Sequence, residues 1–581
     1  MDLTLLVVGA ALLFLAAFRF YGRIVAARFD LDDATPTPAC LFEDGVDFVP
    51  TRPPILLAQH FSAISAAGPI VGPIAAGIWF GWLPALLWIV VGAIFIGAAH
   101  DFSALIASMR HGARSVTELM REHVSQRAYL LFLSFIWLSL VYVIVAFTDL
   151  TARQFVVEGV GPGVASSSLM YLFLAIALGV CLYRFEMPLG VATAIFVPAL
   201  FAIIWVGQKA PISVGHFFDQ NGQILFWSYV ILAYCFVASV LPMWLLLQPR
   251  GYLGGYFLYV LLAAGALGIV CGSFLPEPVS LAYPAFVGWR NPQGLPLFPI
   301  LFVTIACGAC SGFHGLVSSG TTSKQVAREG DARLVGYGGM LLEGVVALMA
   351  LATVMILPAG DPRLARDPNV IFATGIARFL GIFSASPGWS SFCLAFGMLA
   401  FATFIYDTLD VATRLGRYIL QELTGWRGDF GRYATTLATV AAPALYMGLV
   451  PSVVTVGGKP APVWSVIWPV FGSSNQLLAA LTLLAICVWL ARSGVRYTLV
   501  FVPMLFMLLM TSWALAIQAW PLVRAVTAGA PPTNPNAWIA VVLLLLAALL
   551  AREAFAVLFR DRPPASRGPL MTAATTPARA P

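Results

Sequence analysis

Charge is what this chain has least of. Asp, Glu, Lys and Arg make up 10% of its 581 residues, against about 25% in soluble domains. With so few charges it could not wet its own surface, which excludes a water-soluble domain. Cross-linkable thiols are scarce as well. Of eight cysteines, all but Cys40 fall inside apolar runs, which argues against a disulfide framework. Cys307 and Cys310 have CxxC spacing, but inside such a run they read as small-residue packing. There is no Walker or dinucleotide glycine loop with its flanking Lys or acidic residue, so ATP is not expected as an energy source. His60, His100 and His314 lie far apart and match no zinc spacing, so neither a metal nor another cofactor is expected. A cleavable signal is lacking too. The first apolar segment, Leu3 to Phe20, has only Asp2 before it, without a positive n-region or cleavage site.

What is present is hydrophobic: 60% of residues, with mean hydropathy +0.89. A helical span takes about 20 mainly apolar residues. Such runs recur near 3–21, 55–80, 83–108, 128–148, 169–184, 189–207, 224–247, 251–273, 296–316, 334–358, 389–406, 433–450, 464–491, 497–522 and 537–558. They predict an all-α polytopic membrane protein of about fifteen transmembrane helices, with the lipid bilayer as its solvent. The net charge of +6 comes from Arg and Lys between the runs, a topology signal and not a nucleic-acid surface. One side collects Arg23, Arg28, Arg52, Arg110, Arg114, Arg121, Arg127, Lys324, Arg328, Arg333, Arg414, Arg417, Arg427 and Arg432. The positive-inside rule makes that side cytoplasmic, with the N-terminus outside and the C-terminus inside a bacterial plasma membrane. Loops 149–168 and 274–295 are then the larger external segments. The predicted organisation is an N-terminal accessory helix and cytoplasmic loop (1–54), a core with discontinuous helices (55–420), C-terminal accessory spans (421–560) and a disordered cytoplasmic tail (561–581).

The second run contains two Gly-Pro pairs, Gly68-Pro69 and Gly72-Pro73. Each Pro removes a donor and clashes with the preceding turn, and Gly lowers helix propensity. In lipid the freed backbone groups are tolerated only against protein or a water-filled cavity. Discontinuous helices of this kind build the midplane sites of many transporters. The plainer reading is a packing kink, since Gly68 and Gly72 also form GxxxG. A second interruption is expected at Ala238–Pro249 in the seventh span. The odd offset of five spans fits an inverted repeat, spans 2–6 and 7–11.

Several motifs are long, ordered and specific. They include Arg52-Pro-Pro-Ile, His60-Phe-Ser-Ala-Ile-Ser-Ala-Ala-Gly-Pro-Ile-Val-Gly-Pro73, Gly81-Trp-Leu-Pro-Ala-Leu-Leu-Trp88 and Gly97-Ala-Ala-His-Asp101. Ser311-Gly-Phe-His-Gly315, Ser319-Gly-Thr-Thr-Ser-Lys324, Asp331-Ala-Arg-Leu-Val-Gly-Tyr337, Thr408-Leu-Asp-Val-Ala-Thr-Arg-Leu-Gly-Arg-Tyr418 and Trp468-Pro-Val-Phe-Gly-Ser-Ser-Asn-Gln-Leu-Leu478 follow. Over about residues 1–525 the chain resembles the carbon starvation protein A (CstA) family. The resemblance implies a plasma-membrane carrier related to the APC superfamily, with its LeuT-like 5+5 inverted repeat. It also implies peptide uptake during carbon limitation, or pyruvate carried with protons. In LeuT-like carriers hydroxyls of the eighth core helix help hold sodium. Here that implies Ser318, Ser319, Thr321 and Thr322, which equally suit a helix cap above a polar loop.

Ionisable groups within a span cost about 2.5–3.5 kcal/mol on insertion scales and default to functional candidates. His60 precedes the Gly-Pro break, and an imidazole titrates near neutral pH. His60, Ser65, Gly68, Pro69, Gly72, Pro73 and His314 are the candidate substrate contacts. Glu343, alone in mid-span, suits a proton carrier, and Asp407 and Asp410 share a helix face. Asp410 could instead pair with Arg414, and Asp101 with Arg110 or Arg114, as structural anchors. Adjacent residues do not share a helix face, so no mutual pair of His100 and Asp101 is implied. Asn475 and Gln476 read as interhelical hydrogen-bonding groups. The reading is an ion-coupled, proton-driven importer of peptides, with pyruvate or another small carboxylate as the alternative cargo and a proton or sodium as partner ion. A polytopic membrane enzyme is the rival of another class. It would need the intramembrane His and carboxylates to converge on one cavity without a through-path.

Overall fold

A bilayer offers the main chain no hydrogen-bond partners, so a chain this apolar must satisfy its backbone within helices or closed barrels. Helices are what form. A computed structural model describes residues 3–45, 47–274, 279–384, 386–456, 459–529 and 535–559. The tail expected to be disordered, 561–581, lies outside the described residues, as do residues 275–278 of one expected external loop. Twelve described helices are long and apolar enough to cross a membrane, and one bent pair makes a thirteenth candidate. The protein is all-helical and multi-pass. Strands Val453–Val456 and Lys459–Pro462 form the only sheet among the described residues.

Helix α1 (Leu3–Ala26) lies at the periphery, with Leu5, Leu12 and Leu15 exposed as suits a lipid-facing side. An interrupted pair follows, α2 (Pro53–Ile64) and α3 (Gly68–Phe80), bent by 45°. Helix α4 (Trp82–Arg110) carries a π-helical turn at Ala93–Gly97. Short α5 (Thr117–His123) leads into α6 (Gln126–Phe155). Helices α7 (Gly161–Tyr183) and α8 (Leu189–Lys209) form a hairpin, then come α9 (Gln220–Val240) and α10 (Leu247–Gly272). A second interrupted pair is α11 (Leu297–Thr304) and α12 (Gly312–Gly320). Helix α13 (Arg333–Met355) opens on another π-helical turn, Arg333–Gly338. Helices α14 (Pro368–Leu380), α15 (Pro387–Thr424), α16 (Gly428–Leu449) and α17 (Val463–Arg492) follow, and α18 (Thr498–Thr527) and α19 (Pro535–Leu558) end the described chain.

The first interruption falls where the prolines place it, with one correction. The Pro69 ring clashes with the carbonyl four residues earlier, that of Ser65. Accordingly α2 stops at Ile64, and Ser65 leaves the helical region at ψ 65°. The Gly72-Pro73 pair does not break the chain, because α3 continues through Pro73. The interruption expected at Ala238–Pro249 is a second correction. It is a connection between two helices, where Leu241 turns extended (ψ 150°) ahead of Pro242. A second pair of short helices is instead separated by the non-helical residues Ile305–Ser311. There Cys307-Gly-Ala-Cys310-Ser-Gly312 supplies two glycines of low helix propensity and no proline.

Packing repeats in matched sets around these breaks. Helix α3 packs on α13, and α12 on α4. Helix α9 packs on α6, and α16 on α15, while α9 also reaches α15 and α16 reaches α6. Helix α10 lies against α15, and α17 against α6. The central contact is α6 with α15. Helix α17, well toward the C-terminal end, is buried throughout its apolar window.

Candidate functional site

His60 and Ser62 are two residues apart on α2, so they face different ways. Each opens onto a separate buried polar cluster. On one side His60 Nδ1 lies 2.9 Å from Thr322 Oγ1, and its Nε2 has no hydrogen-bond partner. The ring packs on Gly339 of α13. Beyond it, His100 Nδ1 is 2.8 Å from Asp101 Oδ1. The second carboxylate oxygen of Asp101 is 2.9 Å from His314 Nδ1. His314 Nε2 is then 3.0 Å from Glu343 Oε2, close but out of line for a hydrogen bond, so both oxygens of Glu343 lack one. One imidazole from α12 thus sits between a carboxylate of α4 and a carboxylate of α13. His100, Asp101, His314 and Glu343 are wholly buried, and His60 nearly so.

On the other side the Ser62 hydroxyl donates to Asp407 Oδ2. Arg250 Nε donates to Asp407 Oδ1 at 2.5 Å. Arg250 Nη2 is 3.2 Å from Asp410 Oδ2, again without hydrogen-bond alignment, so Nη1, Nη2 and both Asp410 oxygens have no hydrogen-bond partner. The guanidinium lies 5.7 Å from the Tyr234 ring centre, and Tyr171 donates its hydroxyl to the Arg250 carbonyl. Thr408, next to Asp407, donates to the Ala63 carbonyl just before the first break, at 2.9 Å.

The structure therefore gathers most of the predicted ionisable residues, with different partners. Asp101 pairs with His100 and His314. Arg110 goes to Glu329 and Arg114 to Glu118, each at 2.8 Å, so neither anchors Asp101. His100 meets its sequence neighbour Asp101 although adjacent helix positions do not share a face. Asp410 turns to Arg250, while Arg414 donates to the Ala238 and Leu241 carbonyls and lies 3.6 Å from Asp47.

The hydroxyls of α12 do not converge. Thr321 bonds back to the Val317 carbonyl and Thr322 meets His60. Ser319 Oγ accepts from Val116 N, and Ser318 Oγ has no partner. Ser65, at the break itself, also keeps a buried hydroxyl without a partner. Gly68, Pro69, Gly72 and Pro73 are packed inside the protein. A Cβ at Gly68 would collide with the Cys307 side chain, and one at Gly72 with the Thr304 carbonyl. Their smallness is what lets the two interrupted segments meet.

The second interruption is served by side chains. Trp88 Nε1 donates to the Ile305 carbonyl, and Gln476 Nε2 lies within reach of the Phe302, Ala306 and Cys310 carbonyls. Asn475 accepts from Phe313 N at 2.8 Å and bonds Ser311. A cavity bounded by Ser139, Val143, Phe313, Leu316, Ser474 and Asn475 has room for about one water. The described conformation is closed around both clusters. All eight cysteines are free thiols.

Arg250 is the residue that sequence reasoning passed over. It stands at the head of a long apolar run, where a lone basic residue reads as a loop charge. The one available signal was its place next to Pro249 with no acidic neighbour nearby in sequence to hold it.

A family model described as carbon starvation protein CstA matches residues 2–366 and 363–514. The chain is 33% identical over 555 residues to a peptide transporter CstA of Helicobacter pylori, spanning 84% of this chain and 78% of that protein. It is 32% identical over 595 residues to the peptide transporter CstA of Escherichia coli, spanning 90% of this chain and 80% of that protein. It is 32% identical over 602 residues to the pyruvate/proton symporter BtsT of Escherichia coli, spanning 88% and 81%. Among solved structures, a manganese transporter variant from Eremococcus coleocola aligns over 89% of this chain and 98% of that one, with 12% identity and a TM-score of 0.47. That likeness is too distant to bear on the fold.

Proposed function

The chain belongs to the carbon starvation protein CstA family, and we propose that it imports small peptides together with protons across a bacterial inner membrane. Membership makes it a multi-pass membrane transporter and not an enzyme. Proton coupling rests on one observation: His314, wholly buried, lies between Asp101 and Glu343 on three different helices beside an interrupted span. An imidazole accepts or releases a proton near neutral pH. A relay from Asp101 through His314 to Glu343 would pass that proton as the helices part. His60, with a free Nε2, would link the relay to the cargo side. Ser318, Ser319, Thr321 and Thr322 meet separate partners, and in a LeuT-like repeat α11/α12 would be the sixth core element and not the eighth that the sodium expectation required.

Cargo recognition falls to the second cluster. A guanidinium fork suits a carboxylate, and Arg250 keeps Nη1 and Nη2 without hydrogen bonds. Asp410, equally without them, would take the ammonium of the same peptide. A carboxylate lacking an ammonium, such as pyruvate, would leave Asp410 unanswered. The similarity to a pyruvate/proton symporter supports that second reading nonetheless.

Alternating access would come from a LeuT-like inverted repeat. One half is α2/α3, α4, α6, α9 and α10, and the other is α11/α12, α13, α15, α16 and α17. The matched packing and the two π-helical turns support this pairing. So does the offset of seven spans between the breaks, odd as inversion demands. In this reading α7–α8 is an inserted hairpin, and the core runs from 53 to 492 instead of 55 to 420. Counting α11/α12 and α16 as spans restores fifteen, with the N-terminus outside.

The test is uptake into proteoliposomes of labelled dipeptide and labelled pyruvate under imposed proton and sodium gradients. Dipeptide should accumulate with an inward proton gradient, sodium present or absent. Uptake that follows sodium and ignores pH would overturn the coupling. Pyruvate uptake without dipeptide uptake would move the cargo to the second reading.

A further inference from the structure

Three side chains that transport does not use converge outside the membrane-spanning segments. His111 directly follows α4, while Glu122 and His123 end α5. His111 Nε2 is 3.2 Å from His123 Nε2 and 3.5 Å from Glu122 Oε2. One donor atom from each of the three lies within 4.8 Å of the others, and among the described residues no other group of His, Cys, Asp or Glu does this. His111 Nδ1 is 2.6 Å from the Ala107 carbonyl. A carbonyl only accepts, so Nδ1 carries the proton and Nε2 turns its lone pair to the cluster.

We propose that His111, His123 and Glu122 bind a divalent transition-metal ion of the zinc class. Donors about 2.0–2.1 Å from a tetrahedral ion sit roughly 3.3 Å apart, which the two observed separations bracket. Two imidazoles with one carboxylate leave the fourth position for water. A backbone carbonyl holding the far nitrogen is how a metal-binding imidazole is usually oriented. Arg492 lies close enough to His123 to act on its charge. Arg492 opposes a cation here, and the Glu122 carboxylate offsets it. The Glu122 side chain is 42% exposed, which gives the ion a way in from solvent. Bound metal would staple the end of α4 to the end of α5 and stiffen the link into α6.

The test uses the full chain, without a histidine tag, stripped by chelator and titrated in detergent with Co²⁺ and then Zn²⁺. One Co²⁺ per chain with a tetrahedral absorption spectrum, displaced by Zn²⁺, is expected. His111→Asn and His123→Asn should each weaken Zn²⁺ binding by about a hundredfold, and Glu122→Gln by about tenfold. Zn²⁺ should also raise the unfolding temperature of the unaltered chain, a readout that needs no variant. Absence of saturable Co²⁺ binding, absence of that rise, or unchanged affinity in both histidine variants would each overturn the proposal.

Discussion

The histidine cluster and the arginine cluster flank the same interrupted helix and are built on opposite principles. In the first, His100, Asp101, His314 and Glu343 can all exchange a proton, and Glu343 is held by proximity without an aligned hydrogen bond. In the second, the guanidinium of Arg250 cannot lose its proton in any accessible range, and it is pinned to Asp407 by a short bond. In the proposed mechanism one side of α2 moves charge and the other holds it still. Ser62 ties the fixed side to α2, the helix that would hinge in the proposed mechanism. His60 ties the mobile side to the same helix through Thr322.

The contrast is broken most forcefully at Arg250. Arg250→Leu would leave two buried carboxylates without their cation, a change worth about 3–5 kcal/mol. A large drop in unfolding temperature with loss of uptake is expected. Arg250→Lys keeps the charge but not the fork, so it should restore much of the stability and little of the uptake. Parent-like transport by Arg250→Leu would show that the cluster is not a fixed anchor.

On the mobile side the cost to the fold is smaller and the cost to coupling larger. His314→Gln strands hydrogen-bonding capacity on Asp101, about 1–3 kcal/mol. It should abolish accumulation driven by a pH gradient yet leave exchange of labelled for unlabelled cargo. Loss of both would mean that His314 binds cargo instead. Glu343→Gln removes no hydrogen bond seen here, so the unfolding temperature should hardly move. The pH profile of uptake should flatten, and an unchanged profile would remove Glu343 from the relay.

How much of this was legible beforehand follows from what each feature costs. Pro69 advertises the first break because a ring that clashes with Ser65 is visible as a letter in the sequence. The second break, at Ile305–Ser311, has no proline and only Gly308 of clearly low helix propensity, and its carbonyls are rescued by Trp88 and Gln476 from remote parts of the chain. No local pattern announces that. Buried carboxylates stand out in an apolar run, so Glu343, Asp407 and Asp410 were found. Their partners were not, because helical periodicity ranks neighbours three or four residues away. Asp410 reaches Arg250 and Asp101 reaches His314 across the bundle. Arg250 itself was hidden by standing where loop charges stand.

The smallest effect should come from an arginine–carboxylate contact at the water boundary, which sharpens the comparison with its buried counterpart. Asp47 accepts from the Tyr418 hydroxyl at 2.6 Å and lies 3.6 Å from Arg414 and 3.8 Å from Arg417. Burial alone would push this carboxyl up, but Lys324, Arg417, Arg414 and the Tyr418 hydroxyl together hold it down at about 2. A carboxyl lowered on folding adds stability that is fully present above its unfolded value and is lost as pH falls through about 2. The Asp47 side chain is 26% exposed, so water screens much of that, and Asp47→Asn should cost about 1 kcal/mol at neutral pH. The difference between Asp47→Asn and parent should be constant from pH 5 to 8 and shrink only in strong acid, roughly below the usual carboxylate value of 3.9. Added salt should shrink it too, because screening acts on charges near water, whereas the penalty of Arg250→Leu should stay the same. If salt weakened both alike, the Arg250 cluster would have to be open to solvent, and the division into a fixed side and a mobile side would fall with it.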